Sequence, residues 1–389
     1  MTQEGQHDMQ PPLSLYVHLP WCVQKCPYCD FNSYTASDGM SRDRYLDALL
    51  ADIEGEANRA DGLELISVFL GGGTPSLFKP QQIARLLDAV GDGFAKADEI
   101  EITMEANPGT VECGDPAAYG EAGVNRLSIG AQSFEPDALK ALGRIHSVGD
   151  IERSVSEARE AGFSNINIDL MYGLPGQGVV AAILDLERGA RLGVTHLSWY
   201  QLTLEPNTVF HSRPPAGLPD EEQIFEMQNL GQKRLTELGY EQYEVSAYAQ
   251  DGRRSAHNMN YWSFGDYLAV GAGAHGKISG VDGIWRYAKP SNPKHYMESM
   301  ESGEYSAELE AISAADRLFE FMLNVLRLTN GFDEDLFAGR TGLSIDILRK
   351  RIEPSIDRGL IAAADGHSWR TTPLGRRFLN DLQAEFLPN

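Results

Sequence analysis

Three shortages frame this 389-residue chain. Cysteine is scarce: four residues cannot make the disulfide framework of a secreted domain, and they point to a reducing compartment. Basic residues are outnumbered, 33 Lys and Arg against 56 Asp and Glu, for a formal charge of −23. That deficit excludes a nucleic-acid footprint spread over the molecule, because phosphate contacts need Lys and Arg, although a local basic patch stays open. Long apolar runs are also missing. No stretch of about 18 residues suits a membrane span, and the polar start Met1–Gln10 lacks the apolar centre of a signal peptide. The expectation is a cytosolic protein with no integral membrane segment and no nucleic-acid partner. Hydrophobic content of 42% and charged content of 23% are those of a folded globular chain. At roughly 150 residues per domain, its length suits about two domains.

The first two thirds alternates short β-rich runs with longer helical ones. Strands are predicted at Leu13–Leu19, Leu65–Leu70, Glu99–Glu105, Arg126–Ala131, Asn165–Met171 and His196–Leu202, each bounded by Gly, Pro, Asn or Asp. Helices are predicted between them, at Ser41–Ala60, Pro80–Val90, Pro116–Ala122, Pro136–Leu142 with Val148–Ala161, and Gly178–Leu192. Ser41 reads as an N-cap, and Pro80 and Pro136 as first-turn prolines. Such alternation implies a parallel α/β sheet, either doubly wound or a whole or partial barrel. The unusual residues follow almost every strand rather than one switch point, which favours a six-unit (β/α) barrel with its site at the carboxyl rim. Beyond Pro206 a long helix is predicted at Glu221–Leu238, a strand at Tyr240–Tyr248 and a Gly/Ala-rich turn at Gly265–Gly276. Residues 345–383 read helix, strand, strand, helix, a winged-helix-like order. The expected division is a flexible segment at 1–10, a barrel with its extension at 11–290, and a C-terminal domain at 291–389.

Cys22, Cys26 and Cys29 fall within eight positions. Three thiolates on one loop suit a thiophilic metal centre. An iron–sulfur cluster normally takes four cysteines, so three would leave one iron open. A structural zinc is the alternative, and would need a fourth ligand such as His18 or the distant Cys113.

Cys22-x3-Cys26-x2-Cys29, with Tyr28 before the last cysteine, resembles the signature of radical S-adenosylmethionine (SAM) proteins. The resemblance implies a partial (β/α)6 barrel and a 4Fe-4S cluster whose open iron chelates the amino and carboxylate groups of SAM. More narrowly, residues 16–22, 71–75, 105–108, 132–134 and 169–175 look like the anaerobic coproporphyrinogen III oxidase (HemN) family, and the likeness runs over nearly the whole chain. It implies SAM contacts at Tyr16, Tyr28, Gly72, Gly73, Thr74, Glu105, Gln132, Arg144 and Asp169. Each has chemistry to match. Gly72 and Gly73 let backbone approach a ligand, although alone a Gly-rich turn is a weak signal. Glu105 suits a cationic or ribose group, Gln132 and Asp169 a ribose or adenine, and Arg144 a carboxylate. Asp169, in an apolar run, should have a partner, since a buried lone carboxylate is costly.

Two departures matter. The oxidases carry a fourth cysteine two positions after the third, where this chain has Phe31, and a longer segment ahead of the cluster. Both features resemble the sister group, the HemW haem chaperones, as does the H-N-x-x-Y-W motif at His257–Trp262. An imidazole at His257 suits haem iron, and Tyr261 and Trp262 offer flat faces to a porphyrin; the alternative is a core histidine among core aromatics. The expected function is a haem chaperone that holds haem, a 4Fe-4S cluster and SAM and passes haem to an acceptor apoprotein, with an electron donor if SAM is cleaved. The alternatives are oxidative decarboxylation of coproporphyrinogen III and a redox-sensing regulator. For the last, residues 340–389 hold 8 basic and 6 acidic side chains, 8 − 6 = +2, too weak an excess for a DNA footprint.

Overall fold

The computed structural model describes residues 10–36, 41–109, 114–303 and 307–388. Cys113 and nearly all of the segment 1–10 lie outside the described residues.

The first strand shows the logic of the rest. In β1 (Leu13–Leu19), Leu13, Leu15, Val17 and Leu19 alternate with Ser14, Tyr16 and His18. The leucines and valine enter the main hydrophobic core, while Ser14 and Tyr16 meet Ser67 and His257. Successive side chains of a strand point to opposite faces, so each strand here carries one apolar and one more polar face. The pattern recurs in β2 (Leu65–Gly72), β3 (Lys96–Ala106), β4 (Arg126–Gln132), β5 (Ile166–Tyr172) and β6 (His196–Gln201). The helices between them cover the apolar face; Ser41 caps Arg42–Ala60 by accepting the Arg44 N–H at 3.1 Å.

These six strands lie side by side in chain order, each parallel to the next. There is no reversal of order such as defines a doubly wound sheet. At one end β6 continues antiparallel into β8 (Ala247–Ala249), itself paired with β7 (Glu241–Glu244). At the other, β9 (Asp266–Val270) lies parallel to β1 and leads antiparallel into β10 (His275–Gly280), β11 (Gly283–Ala288) and β12 (Glu310–Ala311). The twelve-stranded sheet stays open: it is the partial barrel, with no closing pair among the described residues.

Two expectations are corrected here. Gly265–Gly276 is not only a turn, because Asp266–Val270 is a fully buried strand held by pairing with β1. Tyr240–Tyr248 is a tight hairpin rather than one strand, with the Ser246 N–H bonded to the Glu244 carboxylate at 2.9 Å.

The helix Pro293–Glu301 packs on the barrel, with Tyr296 fully buried in its core. A second core gathers Phe321, Met322, Phe337, Leu348, Trp369 and Phe386. Around it stand helices Ala314–Val325, Glu334–Thr341 and Ile345–Asp357 and a three-stranded sheet in the order Phe332–Asp333, Ser368–Thr371, Ile361–Ala363. The winged-helix-like order is present, its last helix broken at Phe378.

Candidate functional site

The cysteine loop leaves β1 and is closed by a two-residue parallel pairing of Trp21–Cys22 with Tyr34–Thr35. The Ala36 N–H bonds to the Cys22 carbonyl at 2.8 Å, and the Cys29 N–H to that of Cys26 at 3.2 Å. Inside the loop, Lys25 Nζ donates to the carbonyls of Phe31 and Ser33. Distant chain latches it: Asn32 Nδ2 donates to the carbonyls of Ala272 and Ser291, each at 2.9 Å, and the Tyr34 hydroxyl to Ser291.

The Gly-rich turn ending β2 supports the loop from below. A Cβ on Gly73 would lie 2.5 Å from the Trp21 carbonyl oxygen, and Gly72, at φ +112°, would put one 2.4 Å from the His18 ring. Only glycine tolerates both the conformation and the approach. The Gly72 N–H donates to Glu105 at 3.0 Å. Thr74 stands behind, its hydroxyl accepting from Asn107 Nδ2 at 2.9 Å and in contact with the Cys22 thiol.

All three cysteines are free, half-buried, and open into one cavity of about 520 Å³. Tyr28, Gly72, Gly73, Glu105, Gln132, Arg144, Asp169 and Trp262 also line it. Gln132 ends β4 at φ +67°, a left-handed conformation that a non-glycine residue adopts only under constraint. Arg144 links the rim to the interior: Nη2 donates to Asn107 at 2.5 Å and to the Gly130 carbonyl at 3.0 Å, and Nη1 approaches Cys26 Sγ at 3.5 Å. Asp169 has its partners, accepting from Asn167 at 2.9 Å and Ser128 at 3.2 Å. Burial, and then the charge of Asp169, push the Glu105 carboxyl up to about 7 against the pull of the Gly72 N–H.

Four residues of the sequence reading are placed elsewhere. Thr74 supports the cavity without lining it. Tyr16 hydrogen-bonds His18 through its hydroxyl at 2.9 Å and stacks on Phe69. His257 lies in the core, 3% exposed, its Nδ1 bonded to Ser67 at 2.9 Å and its ring stacked on Phe69 at 4.9 Å. Burial, then the charge of Arg126, push the imidazole down to about 3, so it is neutral. Tyr261 packs against His257 and Tyr267. Of the H-N-x-x-Y-W motif, Asn258 and Trp262 reach the cavity wall.

The sequence reading missed Arg126, Ser128, Asn167, Ser198 and Tyr200, which line the cavity from β4, β5 and β6. Their signal was the period-two spacing of 126, 128, 130, 132 and of 167, 169, 171, alternating with Leu, Ile and Ala.

The donor set fits an iron–sulfur centre better than a zinc ion. Both His18 nitrogens are engaged, with Tyr16 and with the Asn32 carbonyl, so His18 is no spare ligand. Among the described residues no three His, Cys, Asp or Glu side chains converge on a single ion, whereas three thiols spread over one cavity wall suit a larger polynuclear centre. Burial pushes the Cys22 thiol up to about 11 and raises Cys29, so metal loading would release protons there.

An open sheet of parallel strands in chain order, with three cysteines on the loop after the first, defines a radical SAM protein. The Radical SAM superfamily model matches residues 16–185 and the HemN C-terminal domain model residues 312–378. Among solved structures, the coproporphyrinogen III oxidase HemN of Escherichia coli shares the fold at a TM-score of 0.81 and 25% identity, covering 97% of this chain and 90% of that one. Among curated proteins, the heme chaperone HemW of Escherichia coli is 45% identical over 378 residues, 97% of this chain and 98% of that protein. That of Bacillus subtilis is 34% identical over 380 residues, 96% and 99%. The chain belongs to the HemW heme chaperone family.

Proposed function

We propose that this protein binds haem and delivers it to an acceptor apoprotein in the cytoplasm. In this reading Cys22, Cys26 and Cys29 hold a 4Fe-4S cluster beside SAM, which together supply one-electron chemistry when bound. The observation that carries the reading is the cysteine loop itself: three thiols share one cavity, and two positions past Cys29 the same wall carries Phe31, 58% exposed, where the resemblance to the oxidases would place a fourth cysteine.

The chain's own residues supply binding and orientation. Gly72 and Gly73 bring backbone to the ligand, and Glu105 fixes that backbone through the Gly72 N–H. Arg144, beside Cys26, holds a positive charge at the rim where a ligand carboxylate is expected. Gln132 offers hydrogen bonds at the rim and Asp169 deeper in. Phe31, Tyr200 and Trp262 present aromatic surface to the same space.

The second reading, decarboxylation of coproporphyrinogen III, draws on the fold shared with HemN along nearly the full chain. One experiment separates the two. The protein is purified anaerobically, its cluster reconstituted, and haem uptake measured beside coproporphyrinogen III turnover, with and without SAM and a reductant. Haem uptake without turnover supports the chaperone; turnover with SAM consumption sinks it.

A further inference from the structure

Arg126 opens β4 and is only 2% exposed, yet it lines the cavity. Its contacts are thin for so buried a charge. Nη1 reaches the Thr103 hydroxyl at 3.5 Å, Nε meets no hydrogen-bond acceptor among the described residues, and the Glu101 carboxylate stands 3.8 Å away. That carboxylate is already spent on the Ser255 hydroxyl and the backbone N–H groups of Ala256 and His257, at the start of helix Ala256–Trp262. Asp169 is satisfied by Asn167 and Ser128. A buried guanidinium without full pairing is unfavourable unless something else completes it. Ser128, Asn167 and Ser198 bring neutral polar groups to the same stretch of wall.

The cavity's other arginine is differently placed. Arg144 is bonded to Asn107 and Gly130 beside Cys26. Arg126 lies at the opposite end of β4, about 20 Å of strand away from Gln132 at the rim.

We infer that Arg126 is a carboxylate receptor in the cavity interior. Resting on the haem reading, the carboxylate it takes is a haem propionate. SAM also carries a carboxylate, but that group is expected at the cysteine rim. A planar guanidinium gives a carboxylate two parallel hydrogen bonds, which suits this role better than a point charge would.

The test uses the full chain with its cluster reconstituted, titrated with haem and with haem dimethyl ester, which keeps the iron and macrocycle and lacks free carboxylates. The wild type is expected to bind haem about tenfold or more tighter than the ester. R126Q should bind haem as weakly as the ester, leave ester affinity unchanged and leave SAM affinity, measured by equilibrium dialysis, unchanged. R126K, which keeps the charge without the fork, should regain part of the preference. An R126Q protein that still prefers haem as strongly as wild type overturns the proposal. Loss of SAM affinity with the haem preference intact overturns the propionate assignment and gives the carboxylate to SAM. A wild type that binds neither porphyrin sinks the chaperone reading itself, and this assignment with it. Should R126Q fail to fold, E101Q/R126Q leaves no lone charge buried and is judged by the same comparisons.

Discussion

Replacing His257 by Ala separates a core histidine from a haem ligand. The ring is buried against Phe69 at 4.9 Å and Tyr261 at 5.1 Å, and its Nδ1 bonds to Ser67, whose hydroxyl also bonds to Ser14. Emptying that volume costs about 2–4 kcal/mol by analogy with large-to-small core changes. The lost hydrogen bond adds about 1 kcal/mol. The apoprotein should therefore lose about 3–5 kcal/mol against urea, read by circular dichroism, before haem is added. His257→Gln, which can still meet Ser67, should lose less. At a temperature where H257A remains folded, its haem affinity should stay within about twofold of wild type. An apoprotein as stable as wild type that no longer takes up haem would refute this account and restore His257 as the iron ligand.

Glu105 makes stability depend on pH. Its folded pKa, about 7, lies above the ordinary carboxylate value of 4.5, so the folded state holds the proton more tightly than the unfolded. The stabilisation is full below pH 4.5 and is lost as pH rises through 7. E105Q should flatten urea stability between pH 5 and 8 and make the protein more stable than wild type at pH 8; an unchanged slope counts against the burial argument. Lys289, 5% exposed, bridges Asp52 at 2.6 Å and Glu56 at 2.7 Å. K289M removes the lysine from two buried carboxylates, leaving Glu56 its ion pair with Arg59 at 3.3 Å, and should cost about 3–5 kcal/mol, much of it recovered in K289M/D52N/E56Q; equal stabilities of K289M and wild type would contradict the structure.

The six parallel strands were legible because glycine, proline, asparagine and aspartate punctuate them, and most of their observed bounds lie within a residue or two of the predicted ones. β9 was not. Five residues between glycines carry no periodic signal, and its strand character comes from β1, some 250 residues earlier in the chain, which local pattern cannot reveal. At the site, the cysteines declared themselves by spacing, because three thiols on one loop are local in sequence. The interior residues Arg126, Asn167 and Ser198 stand among alternating polar and apolar positions of their strands, and only the folded sheet shows that they share a wall. His257 was ambiguous for a related reason. A histidine beside aromatics has the same sequence signature whether it meets iron or Ser67, and the difference is one of depth in the barrel.

The latch on the cysteine loop ties the three thiols to a late stretch of the chain. Asn32 and Tyr34 are held by carbonyls at Ala272 and Ser291, more than 200 residues downstream. A chain released after residue 265 would carry every thiol of the loop and none of those three bonds. As the polypeptide emerges from the ribosome, the cysteine loop appears well before Ala272 and Ser291 and is secured only after both have followed it.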